Sequence, residues 1–436
     1  MPELAINGGT PVRTEPFERY VTMGDEERNA LLRVFDSGTL SGFYGSYHSG
    51  FLGGSEVRAL ETEWADHFGS KYAIAVNSAT SGLIASVGAA GISPGDEVIV
   101  TPISMSATAT AIVAWGGVPV FADVEPETFC LDPVSVESKI TPRTRAIVVT
   151  DIFGQPYDAD EINRIAANHG ISVVEDNAQG PGSSYRGKFG GTLGDLGVFS
   201  LNYHKHIHTG EGGVVCTDDK DLADRVRMIR NHAEAVAGGR IQDEPDLDLT
   251  NMVGFNYRLG EMEAAIAREQ LKRLDDLVES GIGNIRILEA GLNSIPAIEM
   301  PRVRDGATHS YYLHAIRFDE EVANTTRELF VEALRAELPQ TSGREADGPL
   351  VFAGVGDPLY MLPMYQKRIG LGSSGFPFDS PYNERRPDYT PGLCPVAEDV
   401  LSRIIVHELF RPPATEEDLG DVISAFHKVW DNRSEL

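Results

Sequence analysis

Between residues 72 and 217 the chain alternates short apolar runs with stretches of helical periodicity, and this alternation limits the fold more than any other feature. The runs are "YAIAV" (72–76), "EVIVTPI" (97–103), "VPVFADV" (118–124), "AIVVTDIF" (146–153), "ISVVED" (171–176), "GVFSL" (197–201) and "GGVVCT" (212–217). Each has strand length and a β-branched bias, and helical segments separate most of them. "SEVRALETEWADHF" sets Val57, Leu60, Trp64 and Phe68 at helical spacing behind Ser55. "DADEINRIAANHG" carries acids at its start and Gly170 at its end, the expected polarity of helix caps. Strands that are apolar throughout and joined by helices belong in a parallel sheet covered on both faces. The expected fold is therefore α/β: a large domain with a mainly parallel seven-stranded sheet flanked by helices.

A length of 436 residues leaves room for a second domain. The pattern changes around residues 254–260. "GEMEAAIAREQLKRLDDLVES" reads as one long helix with Met262, Ile266, Leu274, Leu277 and Val278 on its apolar side, leading into a smaller C-terminal α+β domain. The expected division is an N-terminal arm over 1–30, a large domain over 31–258 and a small domain over 259–436. A long loop near 340–392 falls within the last. Its part over 358–391 is rich in Pro, Gly and aromatics without a period, which reads either as a substrate loop or as a surface meander.

Composition removes several function classes. No apolar run approaches the roughly 20 residues of a membrane helix, and the first residues, "MPELAINGGTPVRTEPF", lack the basic start and apolar core of a signal peptide. Cys130, Cys216 and Cys394 are too far apart for a metal knuckle and odd in number, which suits a reducing cytoplasm. A net charge of −28 argues against nucleic acid as a partner. It leaves room for a small phosphorylated ligand, because backbone amides at a helix start bind phosphate whatever the global charge.

Ligands of open α/β sheets sit at the carboxyl ends of the strands. After "YAIAV" comes "NSATSGL", where Ser78, Ala79 and Thr80 either cap a helix or present N–H groups and a hydroxyl to a phosphate. After "ISVV" comes Asp176, a carboxylate that serves as a helix cap, joins a salt bridge or stabilises a cationic ring nitrogen. After "GVF" come Ser200 and then "NYHKHIHTGEGG". On a regular strand, His204, His206 and His208 would share a face and converge on a metal. The preceding strand is already spent before Asn202, so the stretch reads as a loop and Lys205 becomes a Schiff-base candidate. A phosphate turn, an acid and a lysine at successive strand ends describe a pyridoxal phosphate pocket with no metal. A histidine metal site and a non-catalytic cofactor-binding regulator are the rival readings.

With these residues in place, the sequence resembles the DegT/DnrJ/EryC1/StrS family of sugar and cyclitol aminotransferases, of the aspartate aminotransferase fold (fold type I). "GISPGDEVIVTP", "ITPRTRAIVV", "VVEDNAQ", "GTLGDLGVFS", "HKHIHTGEGG" and "GFNYRLGEMEAAIAREQLKRLD" follow the family's order, and the opening "LAINGGTPVR" looks like its cyclitol branch. The resemblance implies that Lys205 binds pyridoxal 5'-phosphate covalently, that Asp176 pairs with the ring nitrogen and that Gln179 touches the ring hydroxyl. It implies phosphate contacts from Ala79, Thr80 and Ser200, and from Asn256 of a neighbouring subunit, hence a homodimer with shared sites. An amino group would pass from glutamate or glutamine, by way of pyridoxamine phosphate, to a keto group on a nucleotide-linked sugar or a cyclitol, in amino-sugar or natural-product biosynthesis. Three positions depart from the pattern. Ala79 replaces a glycine, Met105 stands where an aromatic stacks on the ring, and Asp151 stands where a histidine is expected. Relatives that run a dehydration carry histidine at the lysine position, and Lys205 favours transamination.

Overall fold

The computed structural model describes residues 3–46, 48–234, 250–341, 349–383 and 386–436. Each of the seven apolar runs forms one strand of a single sheet. These are β1 (Tyr72–Val76), β2 (Glu97–Val100), β3 (Val118–Phe121), β4 (Thr144–Thr150), β5 (Ser172–Asp176), β6 (Leu196–Ser200) and β7 (Gly213–Thr217), in the spatial order β1-β7-β6-β5-β4-β2-β3. Strand β7 alone runs antiparallel to its neighbours β1 and β6. Its connection from β6 is a loop with no crossover helix, so the chain turns back beside the strand it has just left. The register pairs Val76 with Gly213, Gly213 with Ser200, Asp176 with Val198 and Thr150 with Asp176. The carboxyl ends of β1, β6, β5 and β4 thus share one edge of the sheet.

Side chains alternate along each strand, so both faces need cover. Ile74, Val76, Val98, Val100, Val148 and Val174 pack on the side where helices α3 (Ala79–Ala89) and α4 (Ser106–Ala114) lie. Ala73, Ala75, Phe199, Val214 and Cys216 pack on the other, against Trp64 and Phe68 of α2 (Ser55–Phe68), which follows α1 (Asp25–Ser37) in the chain. Gly82 of α3 lies flat on the sheet; a Cβ there would come within 2.8 Å of the Val198 side chain.

The one long helix expected over 260–280 is two, Glu261–Leu271 and Leu274–Leu292. The Arg273 amide bonds to Gln270 O at 3.0 Å, an i−3 contact that closes the first helix, and its guanidinium is drawn to Thr22 O at 2.6 Å. The first helix buries Ala264, Ala267 and Leu271 against the large sheet's second face, whereas Met262 and Ile266 are only half-buried.

A second, four-stranded antiparallel sheet has the order β8 (Ile298–Glu299), β9 (His314–Phe318), β11 (Ile404–His407), β10 (Val351–Phe352). Its core gathers Ile285, Leu288, Phe318, Phe330, Leu334, Ile405, Val422 and Phe426, and also Leu4 and Phe17 from the start of the chain. The "LAINGGTPVR" stretch is held there by one buried carboxylate. Glu337 accepts hydrogen bonds from the amides of Ala5 (2.9 Å) and Val12 (3.0 Å) and pairs with Lys428 at 2.8 Å.

Part of the Pro- and aromatic-rich segment over 358–391 packs on the large sheet, while Ile369, Leu371 and Tyr382 stay exposed. Tyr360, Tyr365 and Tyr389 pack around Phe121 of edge strand β3, and the Tyr389 hydroxyl donates to Pro119 O at 2.9 Å. It covers the sheet edge that a proline already interrupts. Residues 342–348 and 384–385 of the expected 340–392 loop lie outside the described residues. Among the described residues no helix is long and apolar enough to cross a membrane.

Glu337→Ala strands a buried ammonium and two amides, which costs roughly 3 kcal/mol. Thermal denaturation should show a clear fall in Tm and limited proteolysis should release the first residues. A Tm within about 1 °C of wild type contradicts the clasp.

Candidate active site

The shared strand edge opens into a cleft of about 470 Å³, in the range of small-molecule sites. At one end, Asn77 and Ser78 lead from β1 into α3. Ser78 Oγ accepts from the Ser81 amide at 3.1 Å and caps the helix, which leaves the N–H groups of Ala79 and Thr80 without a partner among the described residues. Two free amides at a helix start attract an anion. Ala79 is the first helical residue, a conformation alanine adopts readily, so the departure from glycine costs nothing here. Gly213 lies directly beneath; a Cβ there would stand 2.8 Å from Ala79 N. Ser200 ends β6 beside it and lines the same cleft.

Asp176 ends β5 on the cleft floor and is 3% exposed. Thr108 donates to its Oδ2 at 2.6 Å and the Ala178 amide to its Oδ1 at 3.2 Å. Ser104, just before α4, and Thr108 on its first turn bring their hydroxyls within 2.6 Å, so two linked hydroxyls back the carboxylate. Burial pushes the Asp176 pKa up, and Thr108, Ala178 and the Lys205 charge pull against it. Thr108 was not anticipated from sequence, although "SMSAT" places it one turn after Met105 at a strand's ligand end. Gln179 Oε1 accepts from the Phe153 amide at 2.8 Å, leaving its Nε2 without a partner among the described residues.

The loop between β6 and β7 is a run of turns, so the face-sharing of His204, His206 and His208 does not exist. His206 uses Nε2 to donate to Ser310 O at 2.9 Å, and burial depresses its pKa to about 3. Burial also lowers His208. Among the described residues no three His, Cys, Asp or Glu side chains are grouped to hold a metal. Lys205 enters the cleft from this loop, its Nζ 3.9 Å from the centre of the Tyr312 ring.

Tyr312, Leu313 and Val355 close the cleft from the second sheet's side and carry no signal in the sequence. They are brought in by a close approach of two loops. The Tyr312 amide donates to Phe153 O (2.7 Å) and the Ser310 amide to Gly154 O (3.0 Å). Gly154 has φ 102°, and a Cβ on it would reach within 2.7 Å of Tyr311 N.

Of the other sequence candidates, Met105 lines the mouth and is 69% exposed. Asn256 is exposed and does not line the cleft of its own chain, although its carbonyl accepts from Asn77 Nδ2 at 3.4 Å. Asp151 is fully buried and turned away from the cleft. Its Oδ1 accepts from the Tyr157 amide at 3.0 Å, and burial beside Glu175 pushes its pKa well up. Glu175 already accepts the amides of Gly191, Leu193 and Gly194, so Asp151 is the neutral member of that pair.

The donor set fits pyridoxal phosphate: free amides for a phosphate, a buried carboxylate with no salt bridge among the described residues, and a primary amine, all facing one space. A sequence model of the DegT/DnrJ/EryC1/StrS aminotransferase family matches residues 46–377. The L-glutamine:2-deoxy-scyllo-inosose aminotransferase of Streptomyces lividus is 31% identical, over 99% of both chains. The spore coat polysaccharide biosynthesis protein SpsC of Bacillus subtilis is 34% identical, over 93% of this chain and 95% of its own. The solved aminotransferase from Psychrobacter cryohalolentis superposes with a TM-score of 0.78 at 28% identity, covering 96% of this chain and 99% of that one.

A carboxylate whose pKa is raised by folding weakens the fold as pH climbs from about 4 through the raised value. In cofactor-free protein at neutral pH, Asp176→Asn should therefore raise Tm, with the gap closing as pH falls toward about 4. An equal or lower Tm at neutral pH contradicts the buried charge.

Proposed function

The chain belongs to the DegT/DnrJ/EryC1/StrS aminotransferase family, and from that premise we propose how its cleft works and on what. It is a pyridoxal phosphate-dependent aminotransferase of the sugar and cyclitol class. The observation that carries the reading is one cleft lined by Lys205 and Asp176, with the free amides of Ala79 and Thr80 at its end. When bound, the cofactor supplies an electron sink conjugated to the substrate's reacting carbon.

The residues divide the work as follows. Ala79 and Thr80 amides with the Ser200 hydroxyl fix the phosphate. Asp176, held ionised by Thr108 and Ala178, keeps the ring nitrogen protonated, and that proton draws electrons into the ring. Gln179 Nε2 orients the ring hydroxyl, and the Met105 thioether packs on the ring face. Lys205 would hold the cofactor through its Nζ, and that amine, when free, would carry a proton between the substrate carbon and C4′ of the cofactor. Tyr312, Leu313 and Val355 keep water from this exchange.

The donor is glutamine or glutamate, and the acceptor is a keto group on a cyclitol or a nucleotide-linked sugar. The glutamine-dependent inosose relatives support the cyclitol choice. Two chains form a cytoplasmic homodimer in which Asn256 reaches the partner's phosphate; its exposure outside its own cleft supports this. The arm over 1–30, the cofactor domain over 31–258 and the small domain over 259–436 complete the reading. Residues 259–278 pack on the large sheet and travel with it.

Lys205→Ala should abolish turnover and the absorbance band between roughly 330 and 430 nm that reports covalently held cofactor. Half-reactions of aminated protein with inosose-type ketones and with keto-sugar nucleotides identify the acceptor. Transamination retained in Lys205→Ala contradicts the assignment.

A further inference from the structure

Lys205 is the centre of a small scaffold assembled from three distant parts of the chain. The backbone carbonyls on either side of it are both held from outside its loop. Arg411 Nη1 donates to His204 O at 3.1 Å, and the Tyr20 hydroxyl donates to His206 O. Arg411 Nη2 donates at 2.8 Å to the carbonyl of Tyr312, whose ring stands under the lysine Nζ. One planar guanidinium therefore ties the lysine's backbone to the aromatic ring that meets its amine. The same guanidinium stands 5.2 Å from the Tyr312 ring centre and 5.7 Å from the Tyr20 ring centre, and Glu408 pairs with it at 3.1 Å. The sequence Tyr20, Arg411, Tyr312, Lys205 alternates aromatic and cation from the N-terminal arm to the cleft, and the Arg411 side chain is only 12% exposed.

A lysine on a turn-rich loop has four rotatable side-chain bonds, and a reacting atom displaced by about 1 Å costs up to roughly a hundredfold in rate. Fixing both flanking carbonyls removes the backbone part of that freedom. We propose that Arg411, assisted by Tyr20, is the positioning residue that aims Lys205 at the cofactor's reactive carbon. This rests on Lys205 being the cofactor's attachment point. Arg411 does not line the cleft, and it acts only through the loop and Tyr312. The fork geometry matters, because it reaches two carbonyls on different segments at once; a lysine supplies one point charge in its place.

The test measures covalent attachment of pyridoxal phosphate to cofactor-free protein, trapped with borohydride and read by intact mass. Wild type should attach at Lys205. Arg411→Gln and Tyr20→Phe should attach roughly tenfold to a hundredfold more slowly, with Arg411→Lys in between. Non-covalent cofactor binding, measured by dialysis in a Lys205→Ala background, should be the same with and without Arg411→Gln, because the arginine's effect passes through the absent amine. Attachment at the wild-type rate in both variants overturns the proposal. So does an equal loss of cofactor binding when Lys205 is absent, which marks Arg411 as merely structural. Should Arg411→Gln not fold, Tyr20→Phe, which removes a single hydroxyl, decides the matter alone. A wild-type protein that attaches no cofactor at Lys205 sinks the functional reading itself, a result distinct from either of these.

Discussion

A carboxylate almost wholly buried at the floor of the cleft is the constraint around which this molecule is arranged. Asp176 sits at the end of a central strand of the sheet, where an ion without compensation would be expelled or neutralised. The protein supplies partial compensation, one hydroxyl and one amide, and among the described residues no guanidinium or ammonium in direct contact. That incomplete satisfaction is useful only if a cationic ring nitrogen completes it. The nearby neutral Asp151 shows the alternative outcome. It stands beside Glu175, whose oxygens are already taken by three amides, and keeps its proton.

From that fixed point the rest follows from the strand order. Because β7 returns beside β6 without a crossover, the loop carrying Lys205 is confined to the edge where Asp176 and the start of α3 already lie. Small residues make the convergence possible. Gly213 and Gly154 each occupy a place where a methyl group would strike backbone atoms. The N-terminal clasp on Glu337 and the cover over β3 then seal parts of the chain that take no share in chemistry.

Much of this was legible before any coordinates. The seven strands and the convergence of Ala79, Thr80, Asp176, Ser200 and Lys205 follow from strand periodicity and from the rule that ligands collect at strand ends, whereas Gln179 is marked only by the family resemblance. The histidine triplet misled only if read as a strand, and the turns after Leu201 remove that reading. What stayed hidden depends on contacts between segments far apart in sequence. Tyr312 and Val355 reach the cleft, and Arg411 reaches the Lys205 loop behind it, through tertiary packing that has no local period. The helix over 260–280 looked continuous because its break is a single tightened turn at Arg273, which leaves the apolar pattern on both sides in place. The aromatic segment over 358–391 has no period because it packs one ring at a time around Phe121. Asp151 could be flagged as a departure, yet its orientation follows from the turn after β4, where the Tyr157 amide and Glu175 face it.

The most direct examination of the central idea is the nitrogen-15 spectrum of the protein loaded with ring-labelled cofactor. With Asp176 as the ring's partner, the pyridine nitrogen should remain protonated across roughly pH 6 to 9. A resonance that shifts to the deprotonated position within that range, as for the free cofactor's ring, would contradict the account.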